Sequence, residues 1–159
     1  MNGRIALIEA PQVEAARSVI YTVGHEFFAR EGESAPAFRA RLIDNDLTPD
    51  VEALPASYVA FWVLLGDEEV VGTGALRRLD ETACELKRMY FLRRARGLGW
   101  GRKMAQAAVD WAREAGFGFM RLDTDFQLVA ARALYQSLGF HEIARYNDSP
   151  AELFFELKL

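Results

Sequence analysis

The sequence predicts an α/β (α+β) domain in which helices cover both faces of a mixed but mostly antiparallel sheet. Three apolar runs, at residues 58–65, 70–76 and 83–92, are joined by short polar turns, which is typical of an antiparallel meander. A strand-like run, a glycine-rich turn, a helical run and another strand-like run then follow, which indicates one parallel crossover. The length of 159 residues and the hydrophobic content of 51% fit one domain over residues 1–159.

The N-terminal part predicts one strand followed by two helices. Residues 5–8 form a short apolar run, and Pro11 suits an early helical position. Apolar residues recur at helical spacing from Val13 to Phe27, which predicts an amphipathic helix. A second helix is predicted over residues 37–47, and the prolines at positions 49 and 55 bound an irregular connection before the meander.

The part beyond the meander predicts two more helices and three more strands. Met104, Ala108, Trp111 and Ala115 mark one helix face, and Gly116 fits just past its end. A strand is predicted over residues 119–124, a helix over residues 128–138, and strands over residues 141–146 and 153–159. The whole chain is therefore expected to hold seven strands and about four helices.

Composition excludes several classes of protein. The net charge of -4 argues against a general nucleic-acid binder, which needs a basic face. Cys84 is the only cysteine and His25 and His141 are the only histidines, so neither an internal disulfide nor a metal site rich in these residues is expected. No run has the length of a membrane span, and the first ten residues do not resemble a targeting signal, so a cytoplasmic protein is expected.

The most informative segment is RGLGWGRK, which runs from Arg96 to Lys103 between a strand-like and a helical run. Glycines allow backbone N–H groups to turn inward, and the helix that follows adds the positive end of its dipole. The segment therefore predicts a binding site for a phosphorylated ligand.

Two common phosphate-binding motifs do not fit this segment. A P-loop requires Lys and then Ser or Thr after its last glycine, whereas Gly101 is followed by Arg102, Lys103 and Met104. The dinucleotide pattern G-x-G-x-x-G, started at Gly97, meets Arg102 where its third glycine should stand. The pattern that does fit is R-x-x-G-x-G, from Arg96 to Gly101.

Together with the strand ELKRMYF before it, at residues 85–91, and the segment ALYQSLGF at residues 133–140, this pattern resembles the GNAT superfamily of N-acetyltransferases. The element order agrees over nearly the whole chain, and the specific motifs lie within residues 83–146. The resemblance implies a seven-stranded sheet with a splay between the fourth and fifth strands. It also implies acetyl-coenzyme A as cosubstrate, with no metal.

The resemblance implies a role for particular residues in holding the cofactor. The amides of residues 98–102 would bind its diphosphate, and backbone groups of Met89 and Phe91 would face its pantetheine arm. Leu128 departs from the family, where many members carry Asn, so one hydrogen bond to pantetheine is not expected here. The full predicted cofactor set is Met89, Tyr90, Phe91, Arg96, Gly97, Leu98, Gly99, Trp100, Gly101 and Arg102.

Two side chains are candidates for catalysis. An amine with a pKa of about 10.4 must lose a proton before it attacks a thioester, and Glu85 is the candidate base. Glu85 precedes Met89 by four residues, so it is expected on the same strand face; alternatively, it is an exposed strand residue paired with Lys87 or a neighbouring Arg. By the resemblance, Tyr135 would stabilise the departing thiolate, and its alternative role is core packing.

The predicted function is transfer of acetyl from acetyl-coenzyme A to a primary amine of a small molecule or peptide, by direct attack in a ternary complex. A coenzyme A-binding sensor without catalysis is the alternative. A nucleotide-binding or RNA-contacting domain is disfavoured by the acidic balance, and membrane binding is not expected. The acceptor pocket is expected from residues 21–38 and 146–152, with Tyr21, Glu26 and Phe28 as candidates. Whether the chain forms a homodimer stays open.

Overall fold

A computed structural model describes all residues from 1 to 159. The seven strands form one sheet in the order β1-β2-β3-β4-β5-β7-β6. They are β1 (Gly3–Leu7), β2 (Ala60–Gly66), β3 (Glu69–Arg78), β4 (Ala83–Phe91), β5 (Phe119–Thr124), β6 (His141–Ile143) and β7 (Leu153–Lys158). The helices are α1 (Val13–Phe28), α2 (Ala35–Asp44), α3 (Pro49–Glu52), α4 (Trp100–Glu114) and α5 (Val129–Ser137). The predicted fold class is confirmed, and the additional helix α3 is a single turn that begins at a proline.

The sheet is antiparallel except at one place. Strands β1 to β4 form the predicted meander, and β4 pairs in parallel with β5 through the crossover that contains α4. This parallel ladder holds only three residue pairs, from Ala83 opposite Phe119 to Glu85 opposite Arg121. Beyond it the strands diverge, which confirms the predicted splay between the fourth and fifth strands.

Each face of the sheet has its own apolar core. Helices α4 and α5 cover one face, where Trp62, Met104 and Met120 are buried. Helices α1 and α2 cover the other, where Phe38 and Phe61 are buried. Strand β2 contributes to both cores, because its successive side chains alternate between the faces and all of them are buried.

Strand β4 contains a β-bulge that decides which side chains face the functional region. Lys87 lies opposite Ala75, but Tyr90 lies opposite Thr73, so three steps along β4 match two steps along β3. The extra residue is Arg88, whose φ is +56°.

The bulge reverses the alternation of β4. Glu85 and Tyr90 therefore lie on the face of α1 and α2, whereas Met89 and Phe91 pack on the face of α4 and α5. The expectation that Glu85 shares a strand face with Met89 is wrong, because a simple count of residues ignores the bulge.

The segment between β6 and β7 also differs from the prediction. Strand β6 ends at Ile143, and residues 144–152 form a loop that the guanidinium of Arg145 closes by donating to the carbonyls of Ser149 and Ala151. Strand β6 cannot continue to residue 146 as predicted, because the chain reverses direction within this loop. None of the helices combines the length and the apolar character needed to cross a membrane.

Candidate active site

The glycine-rich loop presents a series of free backbone donors. Gly97 and Gly99 have φ of +73° and +82°, left-handed values that glycine adopts without strain, and Gly99 precedes α4 directly. None of the six amides of residues 97–102 donates to a protein acceptor. The first amide that does is that of Lys103, to the Gly99 carbonyl at 3.2 Å. Several N–H groups at one helix N-terminus suit an anion.

A mostly apolar cleft of about 390 Å³ opens beside this loop. Its walls come from the outer part of β4, the start of α4 and one side of α5, and include Met89, Phe91, Trp100, Leu134 and Tyr135. Helix α5 comes close to α4 because position 101 is glycine: a Cβ there would lie 3.3 Å from a methyl carbon of Leu134. The cleft therefore follows the exposed edge of β4 where β5 has diverged.

A second cleft, of about 640 Å³, lies on the other side of the splay. It shares five lining residues with the first cleft, so the two meet: Met89, Gln127, Leu128, Ala131 and Tyr135. Its wall also carries Asp123, Asp125 and Glu152, and none of these carboxylates has a cation within 4.0 Å. Lys87 and Arg88 also line this cleft, but each is paired with a carboxylate, Glu85 and Asp50 respectively. The three unpaired carboxylates therefore favour a positively charged group.

Tyr135 stands where the clefts join. Its side chain is 6% exposed and its ring packs edge-on against Phe140 at 5.7 Å between centroids. Its hydroxyl makes no hydrogen bond within the protein, and since no fully buried side-chain polar atom lacks a partner, the hydroxyl oxygen is open to the clefts that the residue lines. Burial raises the pKa of Tyr135, so the hydroxyl keeps its proton and can donate.

Glu85 lies at the closed end of the splay, lines neither cleft and is completely buried. Its Oε1 is 2.8 Å from Arg77 Nε and 3.6 Å from Lys87 Nζ. Its Oε2 accepts hydrogen bonds from the Tyr146 hydroxyl at 2.5 Å and from Asn147 Nδ2 at 3.3 Å. The pairing with Lys87 and with an Arg, anticipated as the alternative, is present, but the alternative was wrong in placing Glu85 at an exposed position. The role of Glu85 as base stays a prediction.

Tyr146 and Asn147 contact the candidate base Glu85, and the sequence placed them only within a general acceptor segment. They reach Glu85 from 61 and 62 residues away, and no local pattern links these positions. Burial and the hydrogen bond to Glu85 raise the pKa of Tyr146. The only signal in the sequence for this contact is that Tyr146 and Asn147, an aromatic residue and an amide, are adjacent in the loop.

The basic residues of the loop are less free than its amides. Arg96 donates from Nε to the Phe91 carbonyl at 2.8 Å and from both terminal nitrogens to the Glu26 carboxylate at 2.7 and 3.1 Å. The hydrogen bond from Arg96 lowers the pKa of Glu26. Arg102 donates to the Ser137 hydroxyl. Arg96 thus joins the loop to α1 at the rim of the first cleft.

The remaining predicted residues surround the same region. Leu98 is exposed at the tip of the loop, and the Trp100 ring lies against Gly3 with Lys103 Nζ 4.3 Å from its centroid. Tyr90 and Phe28 line the second cleft and also a smaller cavity of about 170 Å³, which Tyr21 lines as well. Glu26, bound to Arg96, lines neither of these cavities.

Comparison with known proteins adds independent evidence. The model of the acetyltransferase (GNAT) family matches residues 24–140. An uncharacterized N-acetyltransferase of Escherichia coli, YjgM, is 44% identical over 87 residues, which are 53% of this chain and 52% of that protein. The chain spans about half the length of the first curated relatives that it matches.

Solved structures agree over the whole chain. A GNAT-family acetyltransferase of Staphylococcus aureus Mu50 superposes with a TM-score of 0.83 at 22% identity, over 99% of each chain. The PaiA N-acetyltransferase of Thermoplasma acidophilum, solved in complex with coenzyme A, gives 0.78 at 16% identity over 100% of each chain. With the family model matched across most of its length and this fold around the splayed strands, the chain belongs to the GNAT family of acetyltransferases.

Proposed function

We propose that this protein transfers the acetyl group of acetyl-coenzyme A to a primary amine of a small molecule or peptide. The observation that carries the proposal is the row of six unpartnered amides beside a cleft that joins a second cleft at the splay. Such a pair of joined clefts allows two substrates to meet at the splay.

The residues of the first cleft fit coenzyme A. The amides of residues 97–102 and the N-terminus of α4 would hold the diphosphate. The edge of β4 that β5 leaves free, from Leu86 to Phe91, offers backbone groups to the amides of the pantetheine arm, and apolar walls surround it. Bound acetyl-coenzyme A supplies an acyl group activated as a thioester.

Two groups of this chain would act on the reacting atoms. The Met89 N–H, on the free edge of β4, would donate to the thioester carbonyl oxygen, an interaction of the oxyanion-hole type. The free hydroxyl of Tyr135 would donate to the departing sulfur. Hydrogen bonding suffices there, because a phenol is a weaker acid than a thiol and burial raises the pKa of Tyr135 further.

The second cleft would bind the acceptor. Asp123, Asp125 and Glu152 attract a protonated amine, which must then lose a proton. Glu85 remains the proposed final acceptor of that proton. Neither Glu85 nor Tyr146 lines a cleft, so a bridging water would carry the proton from the acceptor to the Tyr146 hydroxyl, whose oxygen takes one proton while its own moves to Glu85 Oε2.

The test has two parts. Titration calorimetry with coenzyme A and acetyl-coenzyme A is expected to show binding, and a panel of amines is expected to include at least one that releases free thiol from acetyl-coenzyme A. Mass spectrometry without an amine is expected to find no acetylated protein. Folded protein that takes up neither ligand would contradict the whole proposal.

A coenzyme A-binding module without turnover is the second candidate. The observation that favours it is the complete burial of Glu85, which places no free carboxylate of β4 in the acceptor cleft. Binding of coenzyme A without thiol release for any amine would support this candidate over the enzyme.

A further inference from the structure

We propose that Asp50 is a positioning residue: through Arg88 it holds the bulge of β4 in the conformation that turns Met89 toward the splay. The inference rests on the proposed function, because it assigns acetyl transfer to that splay. Asp50 lies in α3 and lines neither cleft, so it would act through Arg88 and not by touching a substrate.

The bulge requires support because of the residue that occupies it. Arg88 has φ of +56°, a left-handed conformation in which the Cβ of an L residue is crowded by its own backbone. Glycine would adopt this conformation freely, but the position holds a large side chain. A conformation of this kind persists where the surroundings hold the residue in place.

Arg88 is held at its side chain and at its carbonyl group. Its Nε and Nη2 donate to the two carboxylate oxygens of Asp50, both at 2.9 Å, in a bidentate pair that is mostly buried. The Tyr58 hydroxyl donates to the same carboxylate. From the neighbouring strand, the completely buried Thr73 donates its hydroxyl to the Arg88 carbonyl at 2.6 Å.

The contacts that Asp50 and Thr73 make with Arg88, here called the lock, affect the site because of where the bulge lies. The bulge lies between Lys87 and Met89, so it alone places Met89 and Phe91 on the face of the first cleft. If Arg88 took a regular extended conformation, the alternation of β4 would turn Tyr90 toward that cleft and Met89 away from it. The direction of the Met89 N–H therefore depends on the conformation of Arg88.

A competing explanation is that Arg88, which lines the second cleft, binds the acceptor, and that Asp50 only orients its side chain for that contact. The two explanations differ for a glycine at position 88. Glycine removes the side chain but keeps the left-handed conformation, so the lock is no longer needed.

The experiment compares D50A, R88G and the double variant D50A/R88G, with E156A as the control. E156A removes an ion pair of similar burial between β5 and β7, where Arg121 Nε lies 2.8 Å from Glu156. We expect D50A to lower kcat about tenfold with little change in the KM of the amine, because a reacting group is displaced. We expect D50A/R88G to be no slower than R88G, and E156A to match the wild type. If Arg88 only positions the strand, R88G leaves the KM of the amine unchanged, whereas an acceptor contact by Arg88 predicts a raised KM.

A structural measurement makes the test independent of turnover. In 15N-labelled protein, the φ-dependent coupling of residue 88 and the amide shift of Met89 are expected to change in D50A. In D50A/R88G both are expected to match R88G. If no amine is acetylated, the proposed function fails, and these signals still decide whether Asp50 holds the bulge.

Three results would overturn the inference: unchanged signals in D50A, a raised KM for the amine with unchanged kcat, or a D50A/R88G variant much slower than R88G. If D50A does not fold, T73V replaces it, since Thr73 holds the same residue through its carbonyl and lines neither cleft. T73V is then expected to shift the Met89 amide and lower kcat at unchanged KM, and a wild-type spectrum would contradict the inference.

Discussion

The hydroxyl of Tyr146 donates a hydrogen bond of 2.5 Å to the buried carboxylate of Glu85. This contact ties the loop of residues 144–152 to β4 at the closed end of the splay. The other carboxylate oxygen forms ion pairs with Arg77 and Lys87. One negative charge therefore interacts with two cations and a hydroxyl. The arrangement suits both a proton acceptor and an anchor for the loop, and substitutions separate these roles.

The variants E85Q and Y146F test the proton path. If Glu85 accepts the proton through Tyr146, each is expected to lower kcat by about 10²-fold or more, because proton transfer to a positioned group contributes that much. The measurement is kcat at saturating acetyl-coenzyme A.

The stability of the same variants provides the control. E85Q leaves two cations without their buried counter-charge and is expected to lower the free energy of unfolding by about 2 kcal/mol. E142Q, at an exposed position of β6, is expected to change neither kcat nor the free energy of unfolding. If E85Q and Y146F lose stability but keep kcat, Glu85 anchors the loop and accepts no proton.

The variant Y135F tests the proposed donor. Its hydroxyl has no protein partner, so its removal leaves no group unsatisfied, and stability and coenzyme A affinity are expected to stay near wild type. A hydrogen bond to a developing thiolate is worth about 2 kcal/mol, so kcat is expected to fall roughly tenfold to a hundredfold. Stopped-time assays of thiol release measure kcat, and calorimetry measures affinity.

The expected pH dependence of kcat follows from the direction in which the pKa of Tyr135 is shifted. The pKa of Tyr135 is raised above its ordinary value of 10.0, so the donating form is complete at neutral pH and persists as the pH rises to 10. The wild type should therefore show no loss of kcat from this group up to that pH. An equal loss of kcat and of coenzyme A affinity in Y135F would contradict the assignment.

Local sequence signals predicted the conformation of the glycine-rich loop and the face of α5 that carries Tyr135. Glycine at positions 97 and 99 marks left-handed conformations, and both are present at the start of α4. The apolar stripe that placed Tyr135 on the inner face of α5 is likewise a property of one helix. Each of these features depends on residues that are close together in the chain, so it can be predicted from the local sequence.

Two other features of the site could not be read in this way. The bulge at Arg88 has no glycine to mark it, because its conformation is held by Asp50, which is 38 residues distant, and by Thr73. The position of Glu85 relative to Met89 depends on that bulge. Its partner Tyr146 belongs to a loop that begins where the predicted strand over residues 141–146 was expected to continue. Contacts between distant segments decide these features, and alternation along one strand does not report them.

The variant G99A tests the glycine loop against a matched control. Alanine at φ of +82° is strained, and we expect a loss of about 1 kcal/mol in stability. G32A places the same strain at φ of +72° between α1 and α2, and in both positions a Cβ would meet no atom within 4 Å. Of these two variants, only G99A should weaken coenzyme A binding, because Gly99 lies in the glycine-rich loop and Gly32 does not. Equal affinity in both variants, measured by calorimetry, would contradict the proposed diphosphate site.

The variant D50N tests the electrostatics of the bulge through pH. Burial alone would raise the pKa of Asp50, but the charge of Arg88 and the hydrogen bonds from Tyr58 and Arg88 outweigh it and lower the pKa below 3.8. A carboxylate with a lowered pKa in the folded state adds stability above its ordinary pKa and loses it as the pH falls through the folded value.

D50N is therefore expected to be less stable than the wild type by about 2 kcal/mol near neutral pH, since it leaves a mostly buried guanidinium without its counter-charge. The difference should shrink steadily below pH 3.8, where the wild-type carboxylate also becomes neutral. Urea unfolding between neutral pH and the acid limit measures it. E68Q, which breaks the exposed pair of Arg4 and Glu68, should cost no more than about 0.5 kcal/mol at any pH. A difference for D50N that stays constant into acid would mean that the charge of Asp50 does not hold Arg88 in place.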